Sequence, residues 1–170
     1  MRGTVRREAR ALARDEALRI IREAEYGVLA SVDSEGCPST AALNHTLFDD
    51  GCLYFHSGYE GEKMDNLRAN PQVSFFVTGT AEVVFEQFTT TYTSAVIHGT
   101  ICFIEDTEEK RNALKIIVER FSDGTVPQPV VEEFIETSLP NVAVLKLRPE
   151  YITGKARLSR KRVCLPQSFS

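Results

Sequence analysis

The stretch LYFHSGYEGEKMDNLRANPQVSF, residues 53–75, joins an apolar strand to a helix through a polar segment with two glycines. His56 and Ser57 end the apolar run, which would put an imidazole and a hydroxyl at the margin of a sheet. Glycines leave the backbone open to a ligand, and Lys63 adds a positive charge where the free amides of a helix start point. These groups together suit a phosphate monoester, although a surface loop is the preferred interpretation when the stretch is taken alone.

Polar side chains also interrupt other strand-like runs. Asn44 and His45 follow the small and apolar run PSTAAL, and Ser94 interrupts the run YTSAVIHG. A buried polar group needs a partner, which is either another protein group or a ligand. For His98 a hydrogen-bonded structural histidine is the preferred interpretation, whereas His45 and His56 stay open between a structural and a ligand-binding role.

Turn signals and hydrophobic periodicity indicate the elements that would position these residues. The runs DSEG and DDG are typical of hairpin turns, and an apolar stripe behind Asp106 predicts the clearest helix. Six or so strands in hairpin order predict a mainly β fold, a small antiparallel barrel with flanking helices. The predicted helices cover 15–23, 63–67, 106–121 and 130–137, and the predicted strands cover 27–32, 38–48, 52–56, 73–77, 81–85 after a bulge at Gly79, 93–105 and 142–152.

Composition limits the class of protein. With 170 residues, 42% hydrophobic and 26% charged, the chain suits one domain over 1–170, with a helical N-terminal segment over 1–26 and a polar tail over 156–170. A net charge of -4 argues against general nucleic-acid binding. No apolar window suits a membrane span or a secretion signal, so we expect a cytoplasmic protein without membrane contact.

The cysteines predict neither a metal site nor a disulfide framework. Cys37, Cys52, Cys102 and Cys164 are widely spaced and form no CxxC pair. Free or buried thiols in a reducing compartment are the expected state.

The pattern LYFHS..EG.K...L..NP.V.F, followed by Y.S....G, EK..AL and ITGK, resembles the flavin-binding split-barrel proteins related to pyridoxamine 5'-phosphate oxidase. The nitroimidazole-resistance branch is the most similar. The resemblance covers roughly residues 15–157, and the run from Tyr54 to Lys63 is its most specific part. It implies a six-stranded antiparallel split barrel that binds FMN at the subunit interface of a homodimer.

The resemblance also implies a role for individual residues. Ala42 to His45 would pass along the isoalloxazine ring, the residues from Phe55 to Ser57 would line the ring and the ribityl chain, and Lys63 would meet the phosphate. Ser94 would approach from a neighbouring strand, and Lys155 would close the site. The cofactor-binding residues implied in this way are Ala42, Leu43, Asn44, His45, Phe55, His56, Ser57, Gly61, Lys63, Ser94 and Lys155.

Three functions remain open on this basis. The first is an FMN-dependent oxidoreductase acting on a small molecule such as a nitroaromatic, in which His56, or as the less favoured alternative His45, donates a proton because imidazole titrates near neutral pH. The second is a non-catalytic flavin- or haem-binding module of the same fold, and the third is a ligand-free dimeric scaffold. The chain has no Trp, and its tail ARLSRKRVCLPQSFS lacks the Trp- and Arg-rich segment of pyridoxamine phosphate oxidases, which argues against that vitamin as substrate.

Overall fold

The computed structural model describes residues 4–122 and 124–158. These residues form one antiparallel sheet with helices packed against it. The strands are β1 (Ala11–Leu12), β2 (Tyr26–Val32), β3 (Pro38–Asn44), β4 (Thr46–Leu47), β5 (Leu53–Ser57), β6 (Gln72–Val84), β7 (Thr89–Phe103) and β8 (Ala143–Arg157). The helices are α1 (Arg14–Glu23), α2 (Glu62–Ala69), α3 (Thr107–Ser122) and α4 (Gln128–Ser138), with 3-10 turns at Glu8–Arg10 and Phe85–Gln87.

The strand order is β3-β2-β6-β7-β8-β5-β4, and β1 pairs with the distal end of β8. Six strands have five residues or more: the runs predicted over 73–77 and 81–85 form the single strand β6, the run predicted over 38–48 divides into β3 and the two-residue β4, and the two-residue β1 was not predicted. β3 approaches β5 without pairing to it, so the sheet curls but does not close. The predicted mainly β, antiparallel architecture with flanking helices is confirmed.

The inner face of the curled sheet holds the main core. Strand residues alternate between the two faces, and the inward set includes Phe55, Phe75 and Ile97, each 0% exposed. Helix α1 closes this core with Ala17 and the isoleucines of its apolar side. Burying side chains of this size contributes about 1.5–3 kcal/mol each, so the sheet and α1 form one packed unit.

Close approach between α1 and β8 depends on Gly154. A Cβ built at Gly154 would lie 2.8 Å from the Cβ of Ala17 and 2.9 Å from the Cβ of Leu12. Any larger residue would therefore push α1 and β1 off the strand. This glycine belongs to the ITGK run of the sequence pattern, and here its role is packing.

A second apolar cluster packs on the outer face of β5. Tyr54 and Val144 contact Leu114 and Ile117 of α3 and the buried side of α4. Asp106 caps α3, since its Oδ1 accepts a hydrogen bond of 2.8 Å from the Glu109 amide. Both faces of β5 are therefore covered along most of the strand, and its last residues reach the margin of the sheet.

Both ends of the described chain differ from the predicted boundaries. Of the segment expected to be helical over 1–26, the described residues form an α-helix from Arg14 to Glu23 and a 3-10 turn over Glu8–Arg10, because Ala11 and Leu12 pair with Lys155 and Gly154. β8 continues past Ile152 to Arg157, since β7 pairs with it over this length. The polar tail expected over 156–170 therefore begins inside a strand, and residues 159–170 lie outside the described part of the chain.

Candidate functional site

The loop between β5 and α2 has the local features expected of an anion cradle. Gly61 adopts a φ of +106°, a conformation that L-amino acids rarely adopt. No side chain caps the start of α2, so the first amides of the helix have no side-chain acceptor. Lys63, in the first turn, is half-buried, and this burial lowers the pKa of its ammonium. The ion pairs among residues 4–122 and 124–158 do not include Lys63.

His56 lies beside this cradle on the outer face of β5. Its side chain reaches solvent. Partial burial, and then the positive charge of Lys63, lower the pKa of the imidazole below its usual 6.5. The ring is therefore mostly neutral at pH 7 and can either donate or accept a hydrogen bond.

The structure brings Asn44 and His56 together, although they lie on different strands. Both line a groove between α3 and α4. The Asn44 amide nitrogen donates a hydrogen bond of 2.8 Å to the Glu25 carbonyl, which fixes the side chain at the end of β3. Ala42 is exposed two residues earlier on the same face, whereas Leu43 points inward and packs against the core.

Ser94 and Lys155 occupy a different cavity on the outer face of β6, β7 and β8. They are cross-strand partners, and Thr78 faces Ser94 from the other side. The cavity has a volume of about 580 Å³ and is also lined by Arg6 and Tyr92. It shares no lining residue with the groove that contains His56. One copy of the chain therefore divides the expected site residues between two places.

A row of outer-face residues crosses the sheet, and three of its four members, Phe76, Val96 and Thr153, line the cavity around Ser94. Val28, Phe76, Val96 and Thr153 face one another in register across four strands. Phe76 is 41% exposed, and Tyr26 on the same face of β2 is also exposed. This face of the sheet is partly apolar, and within residues 4–122 and 124–158 it leaves Tyr26 and Phe76 exposed.

His45 and Phe55 have their side chains in the core. His45 is 1% exposed, its Nε2 donates to the Ile21 carbonyl at 2.7 Å, and its ring meets Phe75 edge-on. The pKa of His45 is lowered to about 4, chiefly by burial. The hydrogen bond to the Ile21 carbonyl acts in the opposite direction, and the charge of Arg120 lowers the pKa further. Phe55 is 0% exposed. A ligand could therefore contact these two positions only through the backbone.

A group that the sequence did not suggest holds the cradle in place. The Lys110 ammonium is buried on α3 and donates to the Tyr59 hydroxyl at 2.7 Å and to the Leu139 carbonyl. Arg68 on α2 donates to the Tyr59 carbonyl at 2.7 Å and pairs with Asp65. Side chain and backbone of Tyr59 are thus both anchored. No local pattern could reveal this, because Lys110 and Tyr59 are 51 residues apart.

The chain matches the model of a known protein family. A model described as pyridoxamine 5'-phosphate oxidase matches residues 13–156. The chain belongs to this family. A search of curated proteins gave no match.

Solved structures of other proteins share the fold of this oxidase family member. A candidate 5-nitroimidazole antibiotic resistance protein from Bacteroides thetaiotaomicron is 28% identical, with a TM-score of 0.71 and 86% of each chain covered. An FAD-binding protein from Mesorhizobium loti is 20% identical (TM-score 0.65; 88% of this chain and 98% of that chain). The FAD and heme binding protein from Mycobacterium smegmatis is 18% identical (TM-score 0.68; 86% of this chain and 72% of that chain).

The described residues of this family member contain no metal-binding cluster. No group of three or more His, Cys, Asp or Glu residues is arranged around a common centre over 4–122 and 124–158. Cys37, Cys52 and Cys102 are free thiols, and Cys164 lies outside the described part of the chain. Within the same ranges, no helix is long and apolar enough to cross a bilayer.

Proposed function

We propose that the chain is a flavin-dependent oxidoreductase that binds FMN and acts on a small molecule. The observation that carries the proposal is Lys63: a half-buried ammonium without an ion pair among the described residues, at the uncapped start of α2. A buried charge is costly unless it finds a counterion. A phosphate monoester bound there would pair with Lys63 and accept from the open amides.

The residues around the cradle fit the rest of this cofactor. The cradle is anchored through Tyr59, so its amides are held in a fixed position before a ligand arrives. Ala42 and Asn44 offer an outward surface on β3. FAD-binding proteins with the same fold support a flavin as the ligand. FMN, when bound, supplies the electron-transfer chemistry, while the protein orients the substrate and controls protons.

His56 is the side chain best placed to handle a proton. It reaches solvent, lies close enough to Lys63 for that charge to lower its pKa, and lines the groove beside Asn44. In its protonated form it would donate to the substrate and would recover the proton from solvent. A nitro compound is a suitable class of acceptor, because its reduction consumes protons as well as electrons.

We also propose that the working unit is a homodimer with the flavin between the copies. Lys63 and His56 lie on one side of each chain, whereas Ser94 and Lys155 line a separate cavity. A second copy would bring its Ser94 and Lys155 to the cradle of the first. It would also cover the exposed outer face around Phe76, and C2 dimers are the commonest oligomers.

Purification followed by an absorption spectrum and mass spectrometry of the released ligand tests the cofactor. A flavin spectrum with the mass of FMN is expected. Turnover would then be screened with NADH or NADPH and a nitroaromatic. A colourless protein that does not take up added FMN would rule the proposal out.

Sedimentation tests the dimer and should show two copies. Phe76→Glu should give monomers, whereas Ile116→Glu on α3 should not. A wild-type monomer with FMN present would contradict the proposed dimer.

Haem is the second candidate ligand. His56 is exposed and mostly neutral, and the neutral imidazole is the form that ligates iron. The FAD and heme binding protein from Mycobacterium smegmatis shares the fold. A Soret band that disappears in His56→Ala would favour haem over FMN.

A further inference from the structure

We propose that the groove between α3 and α4 binds the substrate, and that it selects an uncharged ring compound over a phosphorylated one. This inference rests on the proposed function, since the groove opens beside His56 and Asn44. It deepens that function by naming the place where the substrate would bind and by excluding a phosphorylated substrate from it.

The groove has the size and lining of a small-molecule pocket. Its volume is about 540 Å³, within the range of roughly 300–1,000 Å³ for such sites. Ile117 and Phe121 of α3 form one wall, and Val130 and Phe134 of α4 form the other. Phe121, Val130 and Phe134 remain exposed although they converge on one cavity. Covering this surface with a ring would contribute about 25 cal/mol for each Å² of apolar surface buried.

The charges around the groove argue against a phosphorylated ligand. Its lining side chains within the described chain include no Lys, Arg, Asp or Glu. A phosphate dianion placed there would lose its hydration without gaining a cation. By contrast, the cavity around Ser94 is lined by Arg6 and Lys155, and the cradle beside α2 holds Lys63. The cations are therefore placed where a cofactor would bind, and they are missing from the groove.

A few uncharged polar groups line the groove among the apolar ones. Asn44 and His56 come from β3 and β5, and the two helices add Ser122 and Ser138. A ring bound between the helices could direct a nitro or carbonyl oxygen toward the imidazole. Apolar walls with a small number of polar groups fix orientation and specificity in small-molecule sites.

A pair of matched variants tests the site. Val130→Asp puts a hydrated carboxylate on the groove wall, and an apolar ring covering this position would have to strip its water. Val130 lies in the first turn of α4, where an acidic residue is compatible with the helix. Ile116→Asp is the control, since Ile116 is a similarly exposed apolar residue on α3 that does not line the groove.

The probe is 2-methyl-5-nitroimidazole, and pyridoxamine 5'-phosphate is the competitor. Ligand-observed NMR and calorimetry would measure binding of the probe to the protein with and without FMN. We expect Val130→Asp to weaken the nitroimidazole about tenfold or more, Ile116→Asp to leave it unchanged, and both to bind FMN as the wild type does. Equal binding by the two variants, no binding by the wild type, or displacement by pyridoxamine 5'-phosphate would overturn the inference. If the wild type does not bind FMN, that result would instead count against the proposed function. The nitroimidazole titration of the FMN-free protein would still test the groove.

Discussion

The Lys110 ammonium nitrogen lies 2.7 Å from the Tyr59 hydroxyl oxygen and so connects α3 to the loop before Lys63. This bond is partly buried and charge-assisted, and an ionised donor makes it stronger than a bond between neutral groups. It joins the helix that forms one wall of the groove to the cradle proposed to bind the phosphate.

Replacing Lys110 with Met should destabilise the protein and loosen the cradle. The Tyr59 hydroxyl and the Leu139 carbonyl would lose their donor, at a cost of about 1–3 kcal/mol in the free energy of unfolding. Urea denaturation measures this, with Lys115→Met as control because that lysine is exposed and pairs only at the surface. Tyr59→Phe should reproduce part of the loss. A Lys110 variant as stable as the Lys115 variant would show that the anchor contributes nothing.

Replacing Lys63 with Met should weaken FMN more than riboflavin, because only FMN carries the phosphate. A charge-assisted hydrogen bond contributes about 1.5–3 kcal/mol, so the Kd for FMN should rise roughly tenfold to a hundredfold. Fluorescence titration of both flavins gives the two constants. Equal losses for both would place Lys63 away from the phosphate.

Replacing His56 with Gln should lower turnover by about 10²–10⁴-fold while leaving FMN affinity nearly unchanged. Partial burial and Lys63 lower the pKa of His56. If the imidazolium donates the proton, the wild-type rate should fall as pH rises through a value below 6.5, and the variant should lack this dependence. Steady-state rates between pH 5 and 8 measure it. Normal turnover of the variant over that range would remove His56 from the mechanism.

His45 should make the protein less stable in mild acid. Its pKa is about 4 in the folded protein and near 6.5 when unfolded, so between these values the unfolded state binds the extra proton. Stability should therefore fall as pH drops from 6.5 to 4, by up to about 3 kcal/mol from this residue. Urea unfolding at pH 7 and 4.5 should show a smaller pH difference for His45→Gln, whose amide can still donate to the Ile21 carbonyl. The same difference in both proteins would mean that other groups cause it.

The sequence alone was enough to predict the features that depend on neighbouring residues. The β5–α2 joint, with its glycines and Lys63, is one continuous segment, and the alternation of its strand and the turns around it are local properties. The antiparallel strands, the bulge near Gly79 and the helix behind Asp106 could be predicted for the same reason. The limits of β1 and β8 could not, because they depend on pairing partners far away in the chain.

Only the tertiary structure decided which polar residues face a ligand. His45 and His56 both follow strand-like apolar runs, yet His45 points inward to the Ile21 carbonyl, 24 residues away, and His56 points outward to the groove. Lys110 and Tyr59 meet because α3 packs on the outer face of β5. The groove itself exists only once α3 and α4 lie side by side. Contacts of this kind depend on how distant segments pack, and such packing leaves no fixed spacing in the sequence.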